Sequence, residues 1–282
     1  MLRRAASKTH DYNRAVLGQP SFLLTKWYLD CVAENGDTAI VYVADLRWDR
    51  LSVHYASLLT VLDGRVNSSS SLRKCNLPRL DRDTARLSLP HLGIEGTWRA
   101  LRAPLARTVF DSPGGSVDWH CHQPLAQVEL LLPGQSRMKS RMIGFGYAEC
   151  LTLTILPWKL PLEELHWGRF LSPQHALVWI DWRGPYQWHG VFHNGEEREV
   201  RSLTESGILF ADATTWLDLD RRLVLRSGQL GETVFAGISR LAKLLPRSLL
   251  SVEECKWRSR GTLQMGSDAA SGWAIHEVVK WK

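Results

Sequence analysis

The sequence predicts an all-β protein made of two antiparallel β-barrels in series, with one amphipathic helix in the C-terminal half. Roughly sixteen short segments show the alternation of apolar residues that is typical of strands. Asn-Gly pairs at 35–36 and 194–195 supply the positive φ angles of tight hairpins. Only residues 232–245 repeat apolar side chains at helical spacing. Short strands joined by turns are typical of antiparallel barrels, and 282 residues are enough for two of them.

The first predicted domain covers residues 1–133. Residues 1–20 are expected to form an irregular arm, and Asn35-Gly36 is expected to join the first two strands as a hairpin. The polar residues 67–71 are expected to form an exposed loop. Strands are predicted over residues 26–33, 38–46, 51–62, 84–89, 94–99, 107–110, 115–122 and 125–132.

The second predicted domain, also a barrel, covers residues 134–282, and the turn-forming residues 133–136 mark the boundary between the halves. The helix 232–245 ends before Pro246, and its apolar face is expected to lie on the sheet and to cover one end of the barrel. We expect the last strand to pair with an earlier one. Strands are predicted over three runs within 141–183 and over residues 187–193, 198–203, 207–210, 215–219, 223–226, 252–260 and 273–281.

Charge and composition argue against several classes of function. The net charge of +6 comes from dispersed Arg and Lys residues, whereas a nucleic-acid site needs clustered cations, so we predict no nucleic-acid partner. The sequence has no G-x-S-x-G motif, no phosphate-binding glycine loop and no dinucleotide fingerprint. The thirteen tryptophans are instead typical of bulky core anchors or of aromatic-lined cavities for small ligands.

Cysteine usage and hydropathy bear on the compartment. The chain has five cysteines, at positions 31, 75, 121, 150 and 255. Their odd number, the lack of a C-x-x-C motif and the lack of an apolar N-terminal segment predict reduced thiols in a cytoplasmic protein. The longest apolar run is interrupted by Pro157, Lys159 and Pro161, which argues against a transmembrane helix and leaves room for peripheral contact with a membrane.

Glu149 carries the main functional hypothesis, because it lies in an otherwise apolar run. Tyr147 is two residues earlier, so both side chains should share one face of a strand. In an apolar lumen, burial would raise the pKa of the Glu149 carboxyl and leave an acid that can protonate an alkene or a carbonyl. Three tryptophans are candidates for the walls of that lumen: Trp158, Trp167 and Trp179. The alternative is a core glutamate that is paired with Arg141, Arg169 or Arg183.

A second candidate group is Asp118, His120 and His122, which should also share one face of a strand, with Trp119 and Cys121 on the other. The row is open to three interpretations. It could be the polar outer face of a barrel, a set of acid, base and substrate-binding groups, or half of a metal site. Glu129 does not complete a cupin-like metal motif, because its spacing places it on the opposite face.

A third candidate group combines aromatic and charged residues near the centre of the chain. Its members are Trp167, Arg169, Trp179 and Asp181. They could bind substrate by stacking on a planar or polyene ligand and by cation–π support of a developing charge. The alternative, which we favour for this group, is an Arg–Asp pair that joins two neighbouring strands beneath ordinary core tryptophans.

Four motifs, in their order along the chain, resemble the hydroxyneurosporene synthase (carotenoid 1,2-hydratase) family. They are W-Y-L-D at 27–30, G-F-G-Y-A-E at 144–149, H-W-G-R-F at 166–170 and L-V-W-I-D-W at 177–182. That superfamily also includes bacterial attachment-locus lipocalin-like proteins and fungal decalin-forming Diels-Alderases. The resemblance implies two lipocalin-like β-barrels whose interface or lumen holds a long apolar polyene or polyketide. It also implies chemistry without a cofactor, and we assign no metal ligands.

We therefore expect a cofactor-independent lyase or isomerase that hydrates or cyclises a hydrophobic isoprenoid or polyketide-like molecule. Glu149 is the expected acid, and Tyr147 is expected to orient it. His120 and His122 are expected to act as the partner base or to position water. The alternatives are a non-catalytic lipocalin-like protein that binds a lipophilic ligand, and a metal-dependent enzyme that uses the H-x-H strand. The sequence gives no prediction of the oligomeric state.

Overall fold

The computed structural model describes residues 21–134, 139–233 and 246–281 of the chain. In these ranges nearly all regular structure is antiparallel β-sheet, which confirms the predicted all-β class. The strands form two sheets, each of which curls around its own apolar core. No helix in the described ranges is long and apolar enough to cross a membrane.

The first sheet contains ten described strands in the order β4-β3-β2-β1-β10-β9-β7-β6-β5, and β8 pairs with β9 beside this path. Its strands are β1 (Phe22–Val32), β2 (Thr38–Trp48), β3 (Leu51–Leu62), β4 (Arg65–Ser71), β5 (Arg79–Asp81), β6 (Thr84–Leu89), β7 (Ile94–Ala100), β8 (Leu105–Ser112), β9 (Gly115–Pro133) and β10 (Lys139–Leu153).

The second sheet contains nine described strands in the order β14-β13-β12-β11-β19-β18-β17-β16-β15. Its strands are β11 (Glu164–Leu171), β12 (Ala176–Arg183), β13 (Trp188–His193), β14 (Glu196–Glu197), β15 (Val200–Thr204), β16 (Gly207–Phe210), β17 (Thr215–Gln229), β18 (Glu253–Met265) and β19 (Asp268–Lys280). The last strand pairs with both β11 and β18, as predicted. Two short helices, α1 (Leu230–Thr233) and α2 (Arg247–Leu250), lie between β17 and β18.

Several boundaries differ from the predicted ones. Residues 67–71 were predicted to form a loop, and this is wrong: they belong to β4, an edge strand that pairs with β3 and is polar because nearly all its side chains are exposed. The predicted strands 115–122 and 125–132 form one strand, β9, with an irregular register near Pro124, which has no N–H to donate to the ladder. The predicted helix 232–245 falls almost wholly outside the described residues, apart from its start in α1.

The two Asn-Gly hairpins are present, with different loops. Asn194 and Gly195 have φ angles of 51° and 95° and form the predicted two-residue turn. Residues 33–37 form a longer loop in which Gly36 has a φ of 92°. The change from one sheet to the other falls between Leu153 and Glu164, and not at residues 133–136. The division into two separate domains stays a prediction.

Buried apolar side chains form three main clusters. One lies inside the curl of the first sheet and includes Trp27, Leu29 and Trp98. A second lies inside the curl of the second sheet and includes Phe170 and Trp179. The third, which we call the inter-sheet layer, packs residues of both sheets together, including Tyr28, Tyr42, Trp119, Tyr147, Trp167, Val178, Trp182 and Ile275. All five cysteines are unpaired, as predicted.

Candidate active site between the two sheets

Glu149 lies in the inter-sheet layer, on β10. Its neighbours in the ladder are Tyr28 of β1 and Cys121 of β9, and all three side chains face the second sheet. Tyr147 shares this face, as the sequence predicted, and it is fully buried. Glu149 itself is half-buried, so part of its side chain remains open to a water-sized molecule.

Three N–H and O–H donors converge on a single oxygen of this carboxyl. Tyr147 Oη donates to Glu149 Oε2 over 2.6 Å, and Trp119 Nε1 donates to the same oxygen over 2.5 Å. Trp167 Nε1 donates to it over 3.3 Å from the second sheet. Oε2 is therefore saturated as an acceptor, and a proton on the neutral acid belongs on Oε1.

The other oxygen, Oε1, has no hydrogen-bonding partner among the described residues. It is also not one of the fully buried polar atoms that lack a partner, so it retains accessible surface. Three protein donors thus hold one oxygen of the carboxyl, and the other is left free of hydrogen bonds to described residues. This is the arrangement that a proton donor requires.

The protonation state of Glu149 follows from its surroundings. Burial raises the pKa of the Glu149 carboxyl above its ordinary value, while the hydrogen bonds from Tyr147 and Trp119 lower it less strongly. None of the three arginines proposed as partners reaches it. Arg169 binds Asp30, Arg183 binds Asp181 and Glu164, and Arg141 binds Glu129. The interpretation of Glu149 as a core glutamate paired with one of these arginines is therefore wrong.

Local backbone features explain why this segment can form the site. The β9–β10 ladder has irregular register on both sides of Ala148, so extra residues of β9 lie opposite Tyr147 and Glu149. Gly146 lies against β1 so closely that a Cβ there would be 2.0 Å from the carbonyl oxygen of Asp30. Gly168 plays the same role on β11, where a Cβ would be 2.2 Å from the Trp179 ring. The glycines of G-F-G-Y and W-G thus permit close packing on each side of the layer.

A buried ion pair joins the two sheets beside Glu149. Arg169 donates from Nε and Nη2 to the two oxygens of Asp30 over 2.9 and 2.8 Å, and both side chains are wholly buried. Tyr28 Oη donates to Asp30 over 2.9 Å, and Arg169 also donates to the carbonyl oxygen of Trp273. The Tyr28 ring then lies edge-on to Trp167 at 4.8 Å, which connects this pair to the Glu149 donors.

A second charged group lies on the same layer. The buried Lys256 ammonium donates to Glu277 and lies over the rings of Trp167 and Tyr28, at 5.2 and 5.6 Å from their centroids. Burial alone would lower the pKa of Lys256, but the charge of Glu277 outweighs it, and the pKa is raised. Lys256 therefore stays protonated, and it contributes a fixed positive charge close to Trp167.

Only part of the predicted substrate-binding set lies at this site. Trp167 and Arg169 face the inter-sheet layer, but Trp179 faces the core of the second sheet, and Asp181 shares its face of β12. The two tryptophans face opposite ways because β11 and β12 pair in a register that sets Trp167 opposite Ile180. The favoured Arg169–Asp181 pair is wrong, since Arg169 binds Asp30 and Asp181 binds Arg183. Trp158 lies elsewhere, edge-on to Trp48 and against a small cluster that includes Leu249.

The structure does not bring His120 and His122 together with Glu149. They share one face of β9 with Asp118, as predicted, but that face is opposite to the one that carries Trp119 and Cys121. His120 is exposed, Asp118 accepts hydrogen bonds from Thr108 and Ser116, and His122 stacks on Trp27. The apolar residues Trp119 and Cys121 take the buried side because burying them gains more free energy. In the described ranges, no three His, Cys, Asp or Glu side chains are grouped to hold a metal ion.

Three further residues belong to the site and were not predicted from the sequence: Asp30, Trp119 and Lys256. Asp30 carries the same signal as Glu149, since it is a carboxylate within an apolar strand that is followed by Cys31 and Val32. Lys256 likewise lies in the predicted strand 252–260. Trp119 had been assigned to the face opposite the histidines, and its contact with Glu149 requires the β9–β10 register.

Comparisons with known proteins identify the fold. No protein-family model matches the chain, and no curated protein matches it by sequence. Among solved structures, it is similar to CghA in complex with Sch210972, with a TM-score of 0.58 and 12% identity over 93% of this chain and 89% of that one. It is also similar to an AttH-like protein from Nitrosomonas europaea, with a TM-score of 0.52 and 10% identity over 98% of both chains.

A third similar structure is kievitone hydratase from Nectria haematococca, with a TM-score of 0.50 and 11% identity over 97% of this chain and 96% of that one. These three proteins are lipocalin-like, and each alignment extends over both sheets. At these identities the likeness concerns the fold. The chain therefore has the two-barrel lipocalin-like fold that the sequence predicted, and it shares that fold with CghA, AttH-like proteins and kievitone hydratase.

Proposed function

We propose that this protein is a cofactor-independent lyase or isomerase that protonates an alkene or carbonyl of a hydrophobic small molecule, with Glu149 as the acid. The single observation that carries the proposal is the difference in hydrogen bonding between the two carboxyl oxygens of Glu149. Three donors hold Oε2, and Oε1 is left without a described partner and with accessible surface. Burial favours the protonated form of such a group.

The reaction step balances within this site. The Oε1 proton passes to the substrate. The π electrons of an alkene form the new C–H bond and leave a carbocation, or a lone pair of a carbonyl oxygen forms the new O–H bond and leaves a protonated carbonyl. The resulting carboxylate is stabilised by the donors on Oε2, Tyr147 and Trp119, which are already in place before the proton leaves. The faces of Trp119 and Trp167 can stabilise the cation. Capture by water or by a second double bond then returns one proton to Glu149.

The geometry revises the expected base. Because His120 and His122 lie on the other face of β9, we assign them no part in this step, and Glu149 both donates and recovers the proton. The partly buried apolar residues that border the inter-sheet layer supply surface for a lipophilic substrate, among them Leu24, Leu46, Tyr55, Leu151, Leu156 and Leu223.

Two of the similar structures support this class of chemistry. CghA is a Diels-Alderase, and kievitone hydratase is named for the addition of water. Both are reactions of unsaturated molecules, and a single acid within an apolar layer suits substrates of that kind. The structure of the substrate determines whether the cation is captured by water, which gives hydration, or by a second double bond, which gives cyclisation.

The proposal can be tested in two steps. The first is mass spectrometry of an organic extract of freshly purified protein, which identifies a copurified ligand. The second is incubation of that ligand or its precursor with the protein in D₂O. Protonation of an alkene should leave one deuterium on carbon in the product, whereas a deuteron placed on a carbonyl oxygen exchanges with water. Glu149→Gln should abolish turnover and leave ligand affinity within about twofold, since the amide cannot donate an acidic proton.

Glu129→Gln is the matched control, because Glu129 is an exposed carboxylate paired with Arg141, and it should retain wild-type turnover. Retention of the ligand without turnover in the wild-type protein would instead identify a lipocalin-like binding protein. Turnover by Glu149→Gln at the wild-type rate would exclude Glu149 as the acid.

A further inference from the structure

Lys26 is a positively charged side chain in the inter-sheet layer that the mechanism above does not use. It lies on the same face of β1 as Tyr28 and is opposite Leu151 of β10, two pairs along the ladder from Glu149. Its ammonium lies 5.1 Å from the centroid of the Tyr42 ring. It makes no ion pair or hydrogen bond with any described residue, and it is half-buried.

The other charges of this region are already matched. Lys256 donates to Glu277 and lies 3.9 Å from Glu254, and Arg226 lies 3.5 Å from Glu254. These four side chains, two cations and two carboxylates, balance one another. The carboxyl of Glu149 is neutral when it carries its proton. When Glu149 carries its proton, Lys26 is the surplus positive charge among the described residues of this group. Its charge favours the ionised forms of Glu149, Glu254 and Glu277, but it forms no direct ion pair with any of them.

A half-buried ammonium without a direct ion pair is costly, because it has lost part of its hydration and is attracted to the nearby carboxyls only at longer range. The Tyr42 ring compensates only in part, since a cation–π contact of this kind is worth about 0.5–2 kcal/mol. A bound anion would complete the arrangement with a charge-assisted hydrogen bond. The carboxylates Glu254 and Glu277 do not repel such an anion strongly, because Lys256 and Arg226 neutralise them.

We propose that Lys26 binds an anionic group of the substrate, a carboxylate or an acidic enol. This contact orients the substrate and determines which of its atoms lies next to Glu149 Oε1. The substrate is then an amphipathic acid, with its charged end at Lys26 and its apolar body between the sheets. This inference rests on the proposed function for the location of the site, and it adds the substrate class.

The pairing of β1 with β10 determines the distance between Lys26 and Glu149. Lys26 and Glu149 are diagonal neighbours on adjacent strands, so their Cβ atoms are about 7–8 Å or less apart. The protonated atom is therefore expected a few bonds from the anionic group. A carboxylate or enolate conjugated with, or close to, the reacting double bond satisfies this spacing.

The test compares two fluorescent probes that differ only in charge. 8-Anilinonaphthalene-1-sulfonate carries a sulfonate, and N-phenyl-1-naphthylamine has the same ring system without it. We expect the wild-type protein to bind the sulfonate, and Lys26→Met to weaken its binding about tenfold while the uncharged probe changes by less than about twofold. Methionine keeps the apolar length of the side chain, and unchanged binding of the uncharged probe reports that the site is intact.

Lys26→Arg should restore binding of the sulfonate, and Lys74→Met, which removes an exposed ammonium of the 72–78 segment, should behave like the wild type. Equal effects of Lys26→Met on both probes, or no effect on either, would overturn the proposal, as would failure of the wild type to bind the sulfonate. These readouts need no turnover. If Glu149→Gln remains active while Lys26→Met loses anion selectivity, the acid assignment falls and the Lys26 assignment stands.

Discussion

Asp30 and Arg169, 139 residues apart in the chain, form a bidentate ion pair in which neither side chain has any exposed surface. Asp30 comes from the first sheet and Arg169 from the second, so the pair fixes how the sheets meet. Tyr28 and the Trp273 carbonyl satisfy further hydrogen-bonding groups of the pair. Because Tyr28 also contacts Trp167, the pair holds the wall of the Glu149 site in place.

Arg169→Met should be strongly destabilising, because it leaves the Asp30 carboxylate buried without a counter-ion. We expect a loss of about 3–5 kcal/mol in the free energy of unfolding, measured by urea denaturation. Adding Asp30→Asn to that variant should recover part of the loss, since no unpaired charge then remains. Arg198→Met removes a half-exposed pair with Asp212 and should cost less than about 1 kcal/mol. Additive losses in the double variant would contradict this account.

His276 should make the protein less stable in mild acid. It is buried beside Trp257 and bonded to Ser259, and burial lowers the pKa of its imidazole to about 3. The unfolded chain binds a proton near pH 6.5 and the native state does not, so this stability is complete above pH 6.5 and is lost as pH falls toward 3. Between pH 8 and pH 5 the loss is about 2 kcal/mol.

Urea denaturation at several pH values checks this. His276→Phe keeps an aromatic ring against Trp257 and removes the titrating group, so its stability should fall less between pH 8 and pH 5 than that of the wild type. The variant is expected to be weaker at pH 8, because Ser259 loses its partner. Parallel pH curves for the two proteins would show that another group is responsible.

The period of two residues in a strand predicted which side chains share a face. Tyr147 with Glu149, and Asp118 with His120 and His122, share faces as expected. The sequence of β9 also indicated which of its two faces is buried. The opposite face of β9 carries Trp119 and Cys121, and their apolar surface outweighs any gain from burying two histidines.

Contacts between strands could not be predicted in this way. The bond from Trp119 to Glu149 depends on a β9–β10 register that contains two irregularities. The Asp30–Arg169 pair depends on how two separate sheets pack, and no local pattern encodes that. The sequence therefore predicted that Glu149 and Tyr147 share a strand face, and the structure was needed for the donors from other strands.

Glu149 should lower the stability of the wild-type protein as pH rises. Its pKa is raised above the ordinary value of 4.5, so the native state binds this proton more tightly than the unfolded chain does. The resulting stabilisation is complete below pH 4.5 and is lost as pH rises through the native pKa. Glu149→Gln has no proton to lose, so it should gain stability relative to the wild type as pH rises from 4 to 8.

Glu129→Gln is the control for this measurement, and its stability relative to the wild type should change with pH in the opposite direction. Hydrogen bonding to Arg141 lowers the pKa of Glu129, so Glu129→Gln should lose stability relative to the wild type over the same range. Unfolding curves in urea at closely spaced pH values give both differences. If the Glu149→Gln difference does not change with pH, the pKa of the carboxyl is not raised and the case for Glu149 as the proton donor fails.

Tyr147→Phe tests whether hydrogen bonds to Glu149 Oε2 assist proton donation from Oε1. The hydroxyl donates to Oε2 and stabilises the carboxylate that forms when the proton leaves, so its loss weakens the acid. We expect turnover of the copurified substrate to fall about ten- to hundredfold, the range for one hydrogen bond to a charged group. We also expect the pH at which activity declines to move upward, because the pKa of Glu149 rises further.

Tyr186→Phe provides the comparison, since the Tyr186 hydroxyl also lies between the sheets but donates to the carbonyl oxygen of Val109. It should change stability without moving the pH profile. A merely structural role for Tyr147 predicts the same behaviour as Tyr186, and a downward shift of the profile would mean that the hydroxyl opposes the carboxylate. If the three donors stabilise the carboxylate through Oε2 while Oε1 donates the proton, Tyr147→Phe must both slow turnover and move the pH profile upward.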